Sequence, residues 1–383
     1  IMEAISRKND GINKKIIVTG CLAERYQKQM DEEFPEIDAV VGIAKNDDIV
    51  EIINSVMLDR RVVTFGDKLC HNMEGDKLQS TLPHYAYLRI ADGCSNKCSY
   101  CAIPLIRGKM RSRKMENIIE EAKKFAENGV KELVIVAQDV TAYGIDLYKK
   151  YALPELLKQL CKIDGIKWIR LLYCYPERMT DELIETIKTE DKVLNYIDIP
   201  IQHCNKEILR NMYRGGDEQS LRELFAKLRR EIPGVVLRTT LITGFPGETE
   251  EQFSELAEFV NDIKFERLGC FAYSAEEDTP AAEMPDQVDE GERQRRADII
   301  TSEQEIRMGE YYAGMVGNTY EVVCEGFDRY SDMYFGRSMH FAPEIDGMIY
   351  FTSAKDKDPL TIGDFVNVKI TDVLENNLLG ERV

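Results

Sequence analysis

A chain of 383 residues, 44% hydrophobic and 31% charged, has room for two or three domains and can bury a large core, which excludes a disordered protein. Its longest apolar runs, at 133–137 and 171–175, fall far short of the ~18 residues that cross a bilayer, and no basic-apolar-small leader opens it. A cytoplasmic protein is therefore expected. The formal charge of −18 argues mildly against a protein that grips nucleic acid through phosphates and favours a basic partner.

The chain opens at Ile1, inside a stretch of helical period, and reads as a fragment. Residues 1–77 contain a strand-like run at 15–19, a turn at Gly20-Cys21, a helix over 23–33, apolar Val40-Val41 and a second helix near Ile49. They look like part of a small α/β domain. From 80 to 315 strand candidates at 85–90, 132–137, 168–173, 196–201, 235–242 and 268–273 alternate with helices. In the first helix Ile118, Ile119, Ala122, Phe125 and Ala126 share a face that Asn128-Gly129 closes; further helices are expected at 154–163, 181–188, 219–231 and 249–260. Such alternation implies right-handed crossovers, a parallel sheet and an α/β partial (β/α)6 barrel with its functional groups at the C-terminal strand ends. A charged helix over 291–312 follows. Residues 316–383 then alternate at 320–324, 348–352 and 365–370, with Gly347 and Gly363 as turns, which suggests a small β-barrel.

Ten cysteines in a chain without a leader point to metal or redox chemistry more than to disulfides. Cys94-Ser-Asn-Lys-Cys98-Ser-Tyr-Cys101 follows the first strand of the βα array, on a loop at the C-terminal end of the sheet. Spacings of three and then two intervening residues let three thiolates curl around one polynuclear centre, and three thiolates on a four-iron cluster leave one iron open to a small molecule. A zinc site completed by a distant ligand, or three buried thiols, are the competing readings. Cys70, Cys161, Cys174, Cys204, Cys270 and Cys324 lack ligand spacing and read as core thiols.

The trio, with Tyr100 before its last cysteine, resembles the radical S-adenosylmethionine (SAM) superfamily. Asp92-Gly93-Cys94, the run from Arg107 through Arg113, Ala137-Gln138-Asp139 and the run from Gly20 through Tyr26 are similar to the methylthiotransferases. Residues 197–204, 238–249 and 271–280 resemble the RimO branch, which modifies an aspartate of small-subunit ribosomal protein twelve. This resemblance covers essentially the whole chain and matches 316–383 to a TRAM domain. It implies that SAM chelates the open iron of a 4Fe–4S cluster held by Cys94, Cys98 and Cys101, and that a 5′-deoxyadenosyl radical takes hydrogen from the aspartate β-carbon. A methylthio group from an auxiliary 4Fe–4S cluster then replaces it. An external electron donor is implied. Cys21 corresponds to the last of three auxiliary-cluster cysteines, the other two falling before Ile1, so two clusters are expected in the full-length protein and one in this chain. The alternatives are a tRNA methylthiotransferase acting on a modified adenosine and a non-catalytic zinc-stabilised binding module.

Several polar residues compete with plainer roles. Gly244-Phe-Pro-Gly247-Glu-Thr249 could border a nucleotide, or be a turn capped by Thr249 and Gln252. Tyr100, Gln138, Arg238 and Gly244 are assigned to the SAM pocket; Arg238, a charge in an apolar strand, would be served equally by the SAM carboxylate or an internal Asp. Asp139, Asp198 and His203, at strand ends, are assigned to substrate binding, with capping the plain alternative for Asp139. Arg107, Lys109, Arg111 and Arg113 could read an acidic partner or be solvated. No catalytic side chain is assigned. From Val316 to Val383 there are twelve acidic and six basic residues, which suits a basic ribosomal protein better than tRNA, so tRNA and membrane partners are not expected.

Overall fold

The computed structural model describes residues 1–70, 73–75, 78–354 and 357–383. The expected domain edge at 77, and Lys355 and Asp356 of the C-terminal charge count, lie outside the described residues. The chain divides into two compact units. One comprises Ile1–Lys77, Asp92–Lys97 and Cys101–Arg111; the other comprises Leu78–Ala91, Cys98–Tyr100 and Ser112–Val383.

In the first unit strands β1 (Ile17–Thr19), β2 (Ala39–Val41) and β3 (Val62–Thr64) form a parallel sheet in that order. Successive side chains of a strand point to opposite faces. Val40 accordingly joins Ile16, Ala23, Met30 and Ile37 in one apolar cluster, while Ala39 and Val41 meet Ile52 and Val56 in another. Helix Cys21–Glu33 supplies Ala23 and Met30, and helix Ile49–Met57 supplies Ile52 and Val56.

In the second unit the strands are β4 (Tyr85–Arg89), β5 (Glu132–Val136), β6 (Trp168–Leu171), β7 (Val193–Asp198), β8 (Val236–Thr243) and β9 (Arg267–Ala272). They form one six-stranded parallel sheet in sequential order. Each expected strand is present, with its ends shifted by up to three residues. Leu133, Val134 and Ile135 are fully buried, as strands covered on both faces must be. The C-terminal residues form a closed five-stranded barrel: β10 (Thr319–Asp328), β11 (Met333–Ser338), β12 (Ile349–Thr352), β13 (Phe365–Leu374) and β14 (Asn377–Arg382).

This barrel closes the N-terminal end of the sheet. Val323 and Ala342 pack among Tyr85, Val134, Trp168 and Tyr196. Asp346 accepts from the Tyr196 hydroxyl at 2.8 Å, and Glu344 accepts from Tyr85 and Tyr87. Beneath them runs a buried chain of alternating charge. Arg170 Nε donates to Glu132 at 2.7 Å, Arg337 bridges Glu132 at 2.8 Å and Glu325 at 2.7 Å, and His84 Nε2 lies 3.0 Å from Glu325. Burial alone would raise the Glu132 carboxyl, yet Arg337 and Arg170 pull it down to about 2.

Because its folded value lies below the ordinary one, Glu132 contributes stability that is complete above about pH 4.5 and is lost as pH falls toward 2. Denaturant midpoints measured from pH 5 to pH 2.5 should fall, and Glu132→Gln should lower the midpoint at pH 5 while flattening that slope. A slope unchanged by the substitution would contradict the assignment.

Candidate functional site

With its N-terminal end covered, the sheet has its C-terminal strand ends left for chemistry, the position typical of α/β folds. Cys98, Ser99 and Tyr100 follow β4 and are pinned to the far side of this end. Ser99 N–H donates to Met212 O at 3.0 Å, Ser99 Oγ donates to Asn211 O at 2.7 Å, and Ala281 N–H donates to Ser99 O at 2.9 Å. Tyr100 packs with Phe245, Tyr273, Ile208 and Met212. The cysteine-loop tyrosine and the Gly-Phe-Pro-Gly turn therefore share one apolar wall. The Cys98 Sγ lies 3.9 Å from the Tyr175 hydroxyl.

Gly244 ends β8 at φ +68, and a Cβ there would fall 2.3 Å from Arg293 Cγ and 2.9 Å from its Cα. Only glycine fits both constraints. Its N–H donates to both Glu248 oxygens at 3.0 Å, and Arg296 reaches the same carboxylate at 2.8 Å. Burial opposes the ionised form of Glu248, but His203, the Gly244 N–H and Arg296 hold its carboxyl below the usual range. The expected capping box is present: Thr249 and Gln252 exchange hydrogen bonds at 3.3 and 3.0 Å.

Asp139, Asp198 and His203, the residues assigned to substrate binding, are each buried and each accepts hydrogen bonds from within the chain. Asp139 accepts from Thr141 at 2.6 Å and from Arg178 at 2.5 Å, and caps the turn through Ala142 N–H at 3.2 Å. Asp198 accepts from Arg238 at 2.7 Å and from Tyr173 N–H at 2.9 Å, and burial lifts its carboxyl above the ordinary value. His203 Nδ1 accepts from the N–H groups of Cys204 and Asn205 at 3.0 and 2.9 Å, so its Nε2 carries the proton toward Glu248, 3.5 Å away. These residues shape the end of the sheet from beneath. Arg238 thus has the internal aspartate rather than a free guanidinium. The buried side-chain oxygen of Gln138, like His203 Nε2, has no hydrogen-bond partner.

Three neighbours of the site carry little local signal. Tyr175, Arg178 and Arg214 meet near Cys98, the two guanidiniums lying 4.7 and 4.1 Å from the Tyr175 ring centre. Tyr173 is 44% exposed on the strained backbone of φ +63, a conformation that costs an ordinary side chain energy and gathers at functional ends. A charged residue beside Gly215-Gly216 was the one available clue to Arg214.

In the first unit Cys21 heads its helix, and Arg107 donates to its sulfur at 3.2 Å. Arg107 and Arg111 also clamp the buried Asp92 at 2.8 and 3.1 Å. In the second unit Arg113, 2% exposed, pairs with Glu121 at 2.6 Å. The three arginines of the basic run are thus committed internally, while Lys109 is exposed. Among the described residues no three His, Cys, Asp or Glu side chains gather tightly enough to hold one metal ion; a four-iron cluster instead takes one thiolate on each of three irons. All ten thiols are free of disulfides. Burial pushes the Cys161 and Cys270 thiols up to about 12, and raises those of Cys174 and Cys204 as well. Such thiols are protonated at neutral pH and are poor ligands.

Residues 88–260 match the Radical SAM superfamily and residues 316–383 match the TRAM domain. The ribosomal protein uS12 methylthiotransferase RimO of Caldanaerobacter subterraneus subsp. tengcongensis is 48% identical over 94% of this chain and 82% of its own length. That of Desulforamulus reducens is 47% identical over 100% of this chain and 86% of its own. The radical SAM methyltransferase TsrM from Kitasatospora setae, solved with tryptophan and a SAM analog, superposes with a TM-score of 0.55 at 14% identity. It covers 70% of this chain and 57% of its own, a likeness of fold. No helix among the described residues is long and apolar enough to cross a membrane.

Proposed function

Given that this chain belongs to the RimO family of radical SAM methylthiotransferases, enzymes that use SAM and an iron–sulfur cluster, we propose that it acts on ribosomal protein uS12, adding a methylthio group to the β-carbon of an aspartate. Cys94, Cys98 and Cys101 are the ligands of the SAM-cleaving 4Fe–4S cluster, and Cys21 is a ligand of a second, auxiliary cluster. The observation that carries this reading is the Cys98–Tyr100 segment fixed at the C-terminal strand ends, against the glycine turn. A cationic, partly apolar wall beside the Cys98 thiol suits an anionic cluster and a nucleotide.

When bound, cluster and SAM supply a 5′-deoxyadenosyl radical that abstracts hydrogen. The chain's own part is placement. Tyr100, backed by the buried Phe245, lines the wall on which an adenine would lie, Gly244 allows close approach of the backbone, and Gln138 offers an acceptor to a donor group of SAM. Asp139 and Asp198 fix Arg178 and Arg238 in position. Tyr173, exposed at the end of the central strands, is a contact for the substrate. The acidic C-terminal domain exposes Glu321, Asp332, Glu344, Asp358, Asp372, Glu375 and Glu381, and it draws a lysine- and arginine-rich ribosomal protein rather than tRNA.

Gly244→Ala should bring about 1–2 kcal/mol of left-handed backbone cost and the contact with Arg293, weakening SAM binding in calorimetry while leaving the cluster's absorption in place. SAM affinity equal to that of the unsubstituted protein would remove Gly244 from the pocket. The substrate is tested by supplying the reduced enzyme with SAM and either uS12 or tRNA. Only uS12 should gain the mass of a methylthio group in place of hydrogen; a modified adenosine in tRNA would overturn the protein-substrate reading.

A further inference from the structure

Six arginines of the chain are buried, and five of them have a carboxylate in ion-pair contact. Arg113 has Glu121, Arg170 and Arg337 share Glu132, Arg267 has Asp346, and Arg296 has Glu248. Arg214 does not. It is 9% exposed, donates to Pro200 O at 2.7 Å, and forms no ion pair with any carboxylate among the described residues; Glu177 acts on it only from farther off. A guanidinium keeps its charge at any physiological pH, and removing that charge from water costs several kcal/mol unless an opposite charge faces it.

What faces it is aromatic and sulfur. Its guanidinium carbon lies 4.1 Å from the Tyr175 ring centre, and the Tyr175 hydroxyl lies 3.9 Å from Cys98 Sγ. The placement is firm, because the turn that carries Arg214 is the one that receives the Ser99 hydrogen bonds, and Arg214 N–H itself closes on Leu209 O at 2.8 Å. A cation of this kind needs an anion arriving at Cys98.

We propose that Arg214 is the built-in counter-cation of the cluster, a positioning residue that acts through Tyr175 on the Cys98 thiolate and eases the cluster's reduction. This rests on the reading that the cysteine trio holds a four-iron cluster. Three thiolates give such a cluster a net negative charge, and one electron from an external low-potential donor makes it more negative by one. A fixed positive charge stabilises the reduced form more than the oxidised one, and a hydroxyl directed at a ligating sulfur acts in the same sense.

The test is an anaerobic redox titration of the reconstituted protein without SAM, followed by electron paramagnetic resonance, in a Cys21→Ser background so that only the trio's cluster contributes. Arg214→Gln should shift the midpoint to more negative potential, with less cluster reduced by a given donor. Arg214→Lys should restore it toward the unsubstituted value. Should the Gln variant fail to fold or to keep iron, Tyr175→Phe carries the same expectation with a smaller negative shift. An unchanged midpoint in either variant, with full iron content, overturns the proposal. Absence of a four-iron signal in the unsubstituted protein would instead overturn the cluster reading on which it rests.

Discussion

In a Cys21→Ser background, replacing Cys98 by Ser should reduce both the iron–sulfur absorption and the yield of 5′-deoxyadenosine to background. A hydroxyl at position 98 cannot supply the third thiolate, and two thiolates leave a four-iron cluster exposed at two irons. Cys204→Ser is the matched control. Cys204 is fully buried with its thiol pushed up by burial, so the cluster and SAM cleavage should survive. The cost there is to stability, about 1–3 kcal/mol for a buried hydroxyl without a partner. Absorption retained by Cys98→Ser and lost by Cys204→Ser would reverse the assignment of ligand and core thiol.

The second large effect is expected far from the cysteines. Arg337→Met leaves Glu325 facing only His84 and takes from Glu132 one of its two guanidiniums. Removing one member of a buried ionic network costs about 3–5 kcal/mol, a large part of the ~5–15 kcal/mol that holds an ordinary domain folded. Arg337 also donates to Phe341 O at 3.0 Å, fixing the segment that enters the sheet's interior. Urea unfolding should show the loss, and the double variant Glu325→Leu/Arg337→Met should recover part of it, because the stranded carboxylate is then gone. A single variant within 1 kcal/mol of the unsubstituted protein would mean the network contributes nothing to closing the sheet.

The local signals of the sequence were faithful to the local structure. Continuous apolar runs such as Leu133–Val134–Ile135 became doubly covered parallel strands, and the Thr249–Gln252 pair became a capping box. The Cys98–Tyr100 segment stands at the C-terminal end of the sheet because a loop after a parallel strand has nowhere else to go. Pairings across long separations were not legible. Glu132 and Arg337 stand 205 positions apart, and a lone charge in an apolar strand announces a partner without naming it. Arg238 gave the same signal, and its partner is Asp198. A polar residue at a strand end carries the same local signal whether it meets a substrate or, like Asp198 with Arg238, a partner within the chain. Strands β11 and β14 were missed because Met333–Ser338 and Asn377–Arg382 mix aromatic, glycine and charged residues without clean alternation. Their pairing comes from closure of the barrel.

The most direct measurement supplies the full-length, reduced enzyme with SAM and uS12 carrying deuterium at the aspartate β-carbon, then weighs the 5′-deoxyadenosine released. The account predicts that deuterium moves into that nucleoside as the methylthio group enters the protein. Methylthiolation accompanied by unlabelled 5′-deoxyadenosine would contradict it.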